Sequence, residues 1–222
     1  MGLSAAATPR GPRPPAAPPR IGVFGGAFDP PHDAHVALAR AAIAQLQLDR
    51  LHIVPTGDAW HKVRPLSPGV HRLAMCRLAF AELPQVVVDE RELRRDGPTY
   101  TIDTLRELQA ENPGAELFLQ IGADQALSFH SWRQPEAILR IATLSIAIRP
   151  HATATAGAFN PDDPLPGLSV EGASVRLLNL PAMSHSATEV RRRMAAGLSA
   201  DHLVPALVAG YIAEHHLYQN PR

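Results

Sequence analysis

Short apolar runs alternate along the chain with longer segments whose apolar residues recur every three or four positions. The runs cover residues 21–24, 51–55, 86–88, 116–121, 144–149 and 175–180. Their length, and the glycines, prolines and polar residues that bound them, predict strands. Residues 33–48, 68–83, 101–111, 135–142, 187–196 and 205–216 predict helices, the third closed by Asn112-Pro-Gly114. Strands that alternate with helices predict a parallel sheet covered on both faces. The expected fold is therefore α/β, a Rossmann-like doubly wound parallel sheet in a single domain spanning 21–222. Residues 151–169, rich in Ala, Thr, Pro, Asp and Gly, predict a loose loop, because a strand and two helices still follow. Residues 1–20 hold six prolines and three arginines and no acid. They predict a disordered leader without the continuous apolar segment of a secretory signal.

Composition narrows the picture. Of 222 residues, 45% are hydrophobic and 19% charged, which suits one domain with a sizeable core. The 21 basic and 21 acidic residues cancel. With few aromatics, this argues against a nucleic-acid partner. Cys76 is the only cysteine, so neither an intrachain disulfide nor a cysteine metal cluster can form. It lies in an apolar helical pattern and reads as core. No apolar run is long enough to span a bilayer, so no membrane partner and a cytoplasmic location are expected.

The chemistry concentrates in Gly22-Val-Phe-Gly-Gly-Ala-Phe-Asp-Pro-Pro-His-Asp-Ala-His35. The order is strand, glycine turn, helix. Gly25 and Gly26 remove side chains where a backbone would approach a phosphate or base. His32 and His35 share a face if both lie in the first helical turn. That turn also offers unpaired N–H groups and the positive end of the helix dipole. An anion, most simply a nucleotide phosphate, is the natural guest.

These residues resemble the nucleotidyltransferase signature GxFDPxHxGH, with Ala34 in place of the glycine. Ser184-His-Ser-Ala-Thr-Glu-Val-Arg191 is similar to the ISSTxIR motif of the same transferases, with Ser186, Thr188 and Arg191 matching and His185 and Ala187 departing. Gly97-Pro-Thr-Tyr-Thr-Ile-Asp-Thr-Leu105 resembles the Gly-x-Ser-Tyr-Thr-x-x-Thr-Leu segment of bacterial nicotinate-nucleotide adenylyltransferases. Ile121-Gly-Ala-Asp124 and Trp132 resemble further elements of that family, as do Lys62, His71-Arg72 and the closing Val208–Tyr218.

The resemblance implies transfer of an adenylyl group from ATP to nicotinate mononucleotide. It implies catalytic roles for His32, His35 and Arg191. ATP would be bound by Gly25, Gly26, Phe28, His32, His35, Ser186, Thr188 and Arg191. The pyridine nucleotide would be bound by Lys62, Thr99, Tyr100, Thr101, Asp124 and Trp132. Mg²⁺ would be carried with ATP, since no dedicated carboxylate cage is visible. On the residues alone, Thr99 and Thr101 also read as a helix cap, Lys62 as a solvated lysine, Tyr100 and Trp132 as core, and Arg72 as a partner of Asp89 or Glu90. Pantetheine-phosphate or nicotinamide-mononucleotide transfer, and a non-catalytic nucleotide-binding protein, are the rival functions. The first lacks a counterpart to Gly97–Thr101, and the last is favoured only by Ala34 and Ala187.

Overall fold

The structure, a computed structural model, describes residues 17–57, 65–148, 159–168, 170–181 and 186–219. Its elements in chain order are β1 (Arg20–Gly26), α1 (Asp33–Leu46), β2 (Arg50–Pro55), α2 (Gly69–Ala79), β3 (Val86–Val88), α3 (Thr101–Glu111) and β4 (Glu116–Gly122). Then follow α4 (Ala123–Leu127), α5 (Pro135–Ile141), β5 (Ala142–Ile148), β6 (Val175–Asn179), α6 (Ala187–Ala195) and α7 (Ala206–Glu214). Single-turn 3₁₀ segments lie at Arg91–Arg94 and Phe129–Ser131.

All six strands are parallel, in the order β3-β2-β1-β4-β5-β6. The chain winds outward from β1 to β3, then returns to the other side of β1 and winds outward again. The point of reversal lies between β1 and β4, where an open α/β sheet has its crevice. The pairing register makes the crevice explicit. β1 stays paired with β2 as far as Gly26↔Pro55. Its pairing with β4 ends at Val23↔Leu119, so Phe24–Gly26 and Gln120–Gly122 part at their carboxyl ends.

Two cores follow from the period of two along the strands. On one face Phe24, Leu51, Ile53 and Phe118 pack against α1, α2, α6 and α7. On the other, Ile21, Val23, Leu119, Leu144 and Ile146 pack against α3 and α5. Cys76 is fully buried in the first core, and burial pushes its thiol far above the ordinary range. It packs as a small apolar residue.

Element boundaries shift by a few residues, and at β1 the shift has a physical reason. The sheet begins at Arg20, not at 21. The Arg20 amide bonds to Asp49 at 2.7 Å, its side chain pairs with Glu116 at 3.2 Å and its guanidinium lies 4.7 Å over Phe118. A residue that opens a strand can be polar, so apolar patterning misses it. Residues 1–16 of the expected leader lie outside the described residues. The segment expected as a loose loop is anchored where it is described, because Phe159 and Leu165 are 6% and 4% exposed in the second core. Two isolated apolar anchors among prolines, aspartates and glycines leave no periodic signature.

Candidate active site

A cleft of about 820 Å³ opens over the carboxyl ends of β1 and β4. Phe24, Gly122 and Ala147 contribute to its floor from three adjacent strands. The β1–α1 turn forms one wall, and the start of α6 forms another.

The turn is set by its own residues. Phe28 takes a left-handed backbone (φ 47°) and is 1% exposed. Its ring packs edge-on against Phe24 and Phe80, at 5.3 and 6.1 Å. A non-glycine residue holds this conformation only where its surroundings over-determine it. The two glycines differ in what they permit. A Cβ on Gly26 would lie 3.2 Å from the Phe28 ring, so this glycine makes room for Phe28. A Cβ on Gly25 would meet nothing within 4 Å, so here the absent side chain leaves the cleft open to a ligand.

His32 and His35 come together as their spacing predicts. His32 is the residue before the first turn of α1, and its backbone N–H donates to Nδ1 of His35 at 3.1 Å. The rings stack at 3.7 Å with 23° between planes. Since Nδ1 of His35 accepts, the neutral ring carries its proton on Nε2. His35 is half-buried, with its ring 5.0 Å from that of Phe28. The first turn of α1 is therefore packed at His35.

On the facing wall, the Ser186 hydroxyl caps α6 by accepting from Glu189 N–H at 3.2 Å. Arg191 Nη2 donates to the Thr188 hydroxyl at 3.2 Å, and Nη1 to the carbonyl of Asp29 at 2.6 Å. Gly25, Gly26, Phe28, His32, His35, Ser186, Thr188 and Arg191 thus all line one cleft. Asp124, at the start of α4, lines it too.

Of the other residues expected at the pyridine nucleotide, the four that are described, Thr99, Tyr100, Thr101 and Trp132, do not line this cleft. Thr99 lies against Gly57 at the end of β2, where a Gly57 Cβ would be 2.8 Å from its Cγ2. Tyr100 precedes α3, and the Arg133 guanidinium covers its ring at 4.5 Å. Thr101 is the first residue of α3, and the cap position belongs to Tyr100, not to Thr99 or Thr101. Trp132 is half-buried against Phe129 at 5.2 Å. Tyr100 and Trp132 both pack at the border of the second core. Lys62, Ser184 and His185 lie outside the described residues.

Three supports were not apparent from the sequence motifs. Glu92 is 6% exposed, and its carboxylate accepts from Thr104 at 2.7 Å, anchoring α3 beside the 97–101 segment. Asp89 accepts from Arg91 Nε and pairs with His52 Nδ1, both at 2.8 Å. Burial pushes its carboxyl up, but these hydrogen bonds outweigh that and lower it from 3.8 to about 2. Arg72, expected beside Asp89 or Glu90, instead donates to the carbonyls of Ser67 and Ala27 at 2.9 and 3.0 Å. Burial lowers the pKa of its guanidinium, and Asp29 is the anion that most offsets this.

A switch-point cleft faced by paired histidines and a forked guanidinium defines a nucleotide-handling α/β enzyme. Comparison with known proteins gives that class a family. The cytidylyltransferase-like family model matches residues 23–193. A protein of Albidiferax ferrireducens named "Probable nicotinate-nucleotide adenylyltransferase" is 54% identical over 200 residues, 90% of this chain and 98% of its own. One of the same name from Bordetella petrii is 43% identical over 202 residues, 90% and 99% of the two chains. The chain belongs to the cytidylyltransferase-like family and, within it, to the nicotinate-nucleotide adenylyltransferases. The fold agrees with the nicotinic acid mononucleotide adenylyltransferase of Plasmodium falciparum in complex with APC. That match has a TM-score of 0.69 at 20% identity, covering 90% of this chain and 97% of the other.

Proposed function

We propose that this chain transfers the adenylyl group of ATP to nicotinate mononucleotide, releasing pyrophosphate and forming deamido-NAD. The observation that carries this reading is the convergence of the His32–His35 pair and Arg191 on one cleft at the sheet's switch point. The names of the relatives supply the acceptor. A Plasmodium falciparum neighbour with a TM-score of 0.69 and 19% identity is described as complexed with NaAD.

In this reading a phosphate oxygen of nicotinate mononucleotide attacks the α-phosphorus of ATP. The bond from that phosphorus to the bridging oxygen breaks, and pyrophosphate departs. No side chain is a nucleophile, so catalysis rests on positioning and on charge stabilisation. The Nε2–H of His35 donates to the transferring phosphate, with His32 beside it. Gly25 leaves the backbone open to the nucleotide, and Gly26 and Phe28 shape the turn. Ser186 and Thr188 present the start of α6 to the polyphosphate, and Arg191 grips it with a planar fork. Asp124 faces the acceptor side. Thr99, Tyr100, Thr101 and Trp132 form the pyridine-nucleotide side beyond it, and Lys62 is assigned to the same nucleotide by the family motif alone.

The cleft's donor set fits Mg²⁺ bound mainly by phosphates. Asp29 is engaged by Tyr218 and Ser67, which leaves Asp124 as the carboxylate facing the cleft among the described residues. Mg²⁺ prefers such a mix of phosphate, water and one or two carboxylates, and when bound it neutralises charge on the polyphosphate. The reading places the enzyme in the cytoplasm, where ATP is at hand. Among the described residues no helix is long and apolar enough to cross a membrane.

The test is product analysis. Incubated with ATP, Mg²⁺ and nicotinate mononucleotide, the protein is expected to yield deamido-NAD and pyrophosphate in equal amounts. Pyrophosphate without the dinucleotide, or neither product, would reject the reading.

A further inference from the structure

The C-terminal segment reaches back to the turn that carries the histidines. Tyr218 OH donates to Asp29 Oδ1 at 2.6 Å across 189 residues of sequence. Asp29 is 1% exposed and sits between Phe28 and the cis Pro30. Its other carboxylate oxygen accepts from Ser67 N–H at 3.2 Å, and its backbone carbonyl accepts from Arg191 at 2.6 Å. Arg72, 3% exposed, ties the Ala27 carbonyl of the same turn to Ser67. One buried carboxylate residue thus joins the turn, Arg191 of α6 and the end of the chain. Next door, His71 Nδ1 meets the Tyr211 hydroxyl of α7 at 3.0 Å, so successive residues of α2 hold α7 and the 27–32 turn.

We propose that Tyr218 is a positioning residue for adenylyl transfer, acting through Asp29 to fix the turn that presents His32 and His35 to the nucleotide and accepts the hydrogen bond of Arg191. This rests on the adenylyltransferase reading above. The left-handed Phe28 gives the contact its purpose. A turn held in a sparsely populated conformation stays there only while its neighbours outvote the alternatives. Phe28 supplies apolar packing and Arg72 holds one carbonyl. Tyr218 supplies a short hydrogen bond to a carboxylate, one of the strong kinds. Burial and the neighbouring carboxylate both raise the phenol's pKa well above its ordinary value, so it remains a donor across the working pH range. Removing the hydroxyl leaves Asp29 Oδ1 short of that donor in a buried place, and the turn can relax toward other arrangements. Small displacements at the reacting centre are costly, up to about 100-fold for about 1 Å.

The test compares Tyr218→Phe, which keeps the ring and its packing, with Asp29→Asn and the double variant. Wild-type turnover first establishes the reaction. If the wild type forms no deamido-NAD, the functional reading fails. The positioning claim is then judged on the affinity of a non-hydrolysable ATP analogue, measured by calorimetry and expected to fall several-fold in Tyr218→Phe. With an active wild type, kcat is expected to fall about 10- to 100-fold in Tyr218→Phe, with KM for the acceptor within about two-fold. The double variant is expected to be no slower than Asp29→Asn alone, because both changes break one link. Unchanged kcat and analogue affinity would overturn the proposal. So would losses that multiply in the double variant, or a kcat per folded molecule that equals wild type once a lowered melting temperature is accounted for.

Discussion

Replacing His35 separates its chemistry from its packing. In His35→Ala three things disappear together: the Nε2–H donor, the acceptor for His32 N–H at 3.1 Å, and a ring stacked on His32 at 3.7 Å and packed on Phe28 at 5.0 Å. A lost helix-start hydrogen bond costs about 1 kcal/mol, and a lost aromatic contact about 0.5–1.5 kcal/mol. The alanine variant is therefore expected to lose about 2 kcal/mol of stability. Losing a donor aimed at developing phosphate charge costs about 100- to 1000-fold in turnover. His35→Asn distinguishes the two effects. Its amide oxygen sits where Nδ1 was and can accept from His32 N–H, but it has no donor at the position of Nε2. It should recover a large part of the stability and little of the turnover. The assay is urea denaturation beside pyrophosphate release at saturating ATP and acceptor. Turnover in His35→Asn near the wild-type value would refute the donor role. A stable, slow His35→Ala would refute the packing role.

Arg191→Lys should lose most of the activity of the wild type, and Arg191→Ala about 100-fold in kcat/KM, because an ammonium keeps charge but not the fork that spans Asp29 and a phosphate. Asp89 has a folded pKa of about 2 against 3.8, so its stabilisation is complete above about pH 4 and is lost as pH falls toward 2. Asp89→Asn should therefore cost about 2 kcal/mol at pH 7 in urea denaturation, with the gap to wild type closing below about pH 4. An equal gap at pH 7 and pH 2.5 would contradict this. Ala34 lines the cleft in the first turn of α1. Ala34→Gly should lower stability by up to about 1 kcal/mol and leave KM for ATP unchanged or lower. A markedly higher KM would show that the site has adapted around the methyl group.

The parts of the candidate site carried by local sequence were legible as neighbours of one cleft. The glycine turn, the spaced histidines, and Ser186, Thr188 and Arg191 each occupy a few consecutive residues. Strand–helix alternation then requires them to meet at one end of a parallel sheet. What escaped are contacts fixed only by tertiary approach. Asp29 and Tyr218 are 189 residues apart, and nothing near either names the other. Arg72 had carboxylates close in sequence at Asp89 and Glu90, yet the fold turns it toward Asp29 and the 27–32 turn. Gly26 reads like Gly25 in the motif, but only the structure distinguishes a glycine that makes room for Phe28 from one that leaves space for a ligand. Strand and helix ends moved by a few residues for the same reason. Arg20 joins β1 through Asp49 and Glu116, partners remote in the chain.

Acceptor choice tests the central claim most directly. With ATP and Mg²⁺ in excess, nicotinate mononucleotide, nicotinamide mononucleotide and pantetheine phosphate are offered separately, and kcat/KM is measured by pyrophosphate release. Nicotinate mononucleotide is expected to be used at least about 10-fold better than either of the others, a difference of about 1.4 kcal/mol in transition-state binding. Faster turnover of pantetheine phosphate, or no turnover of any of the three, would contradict the account.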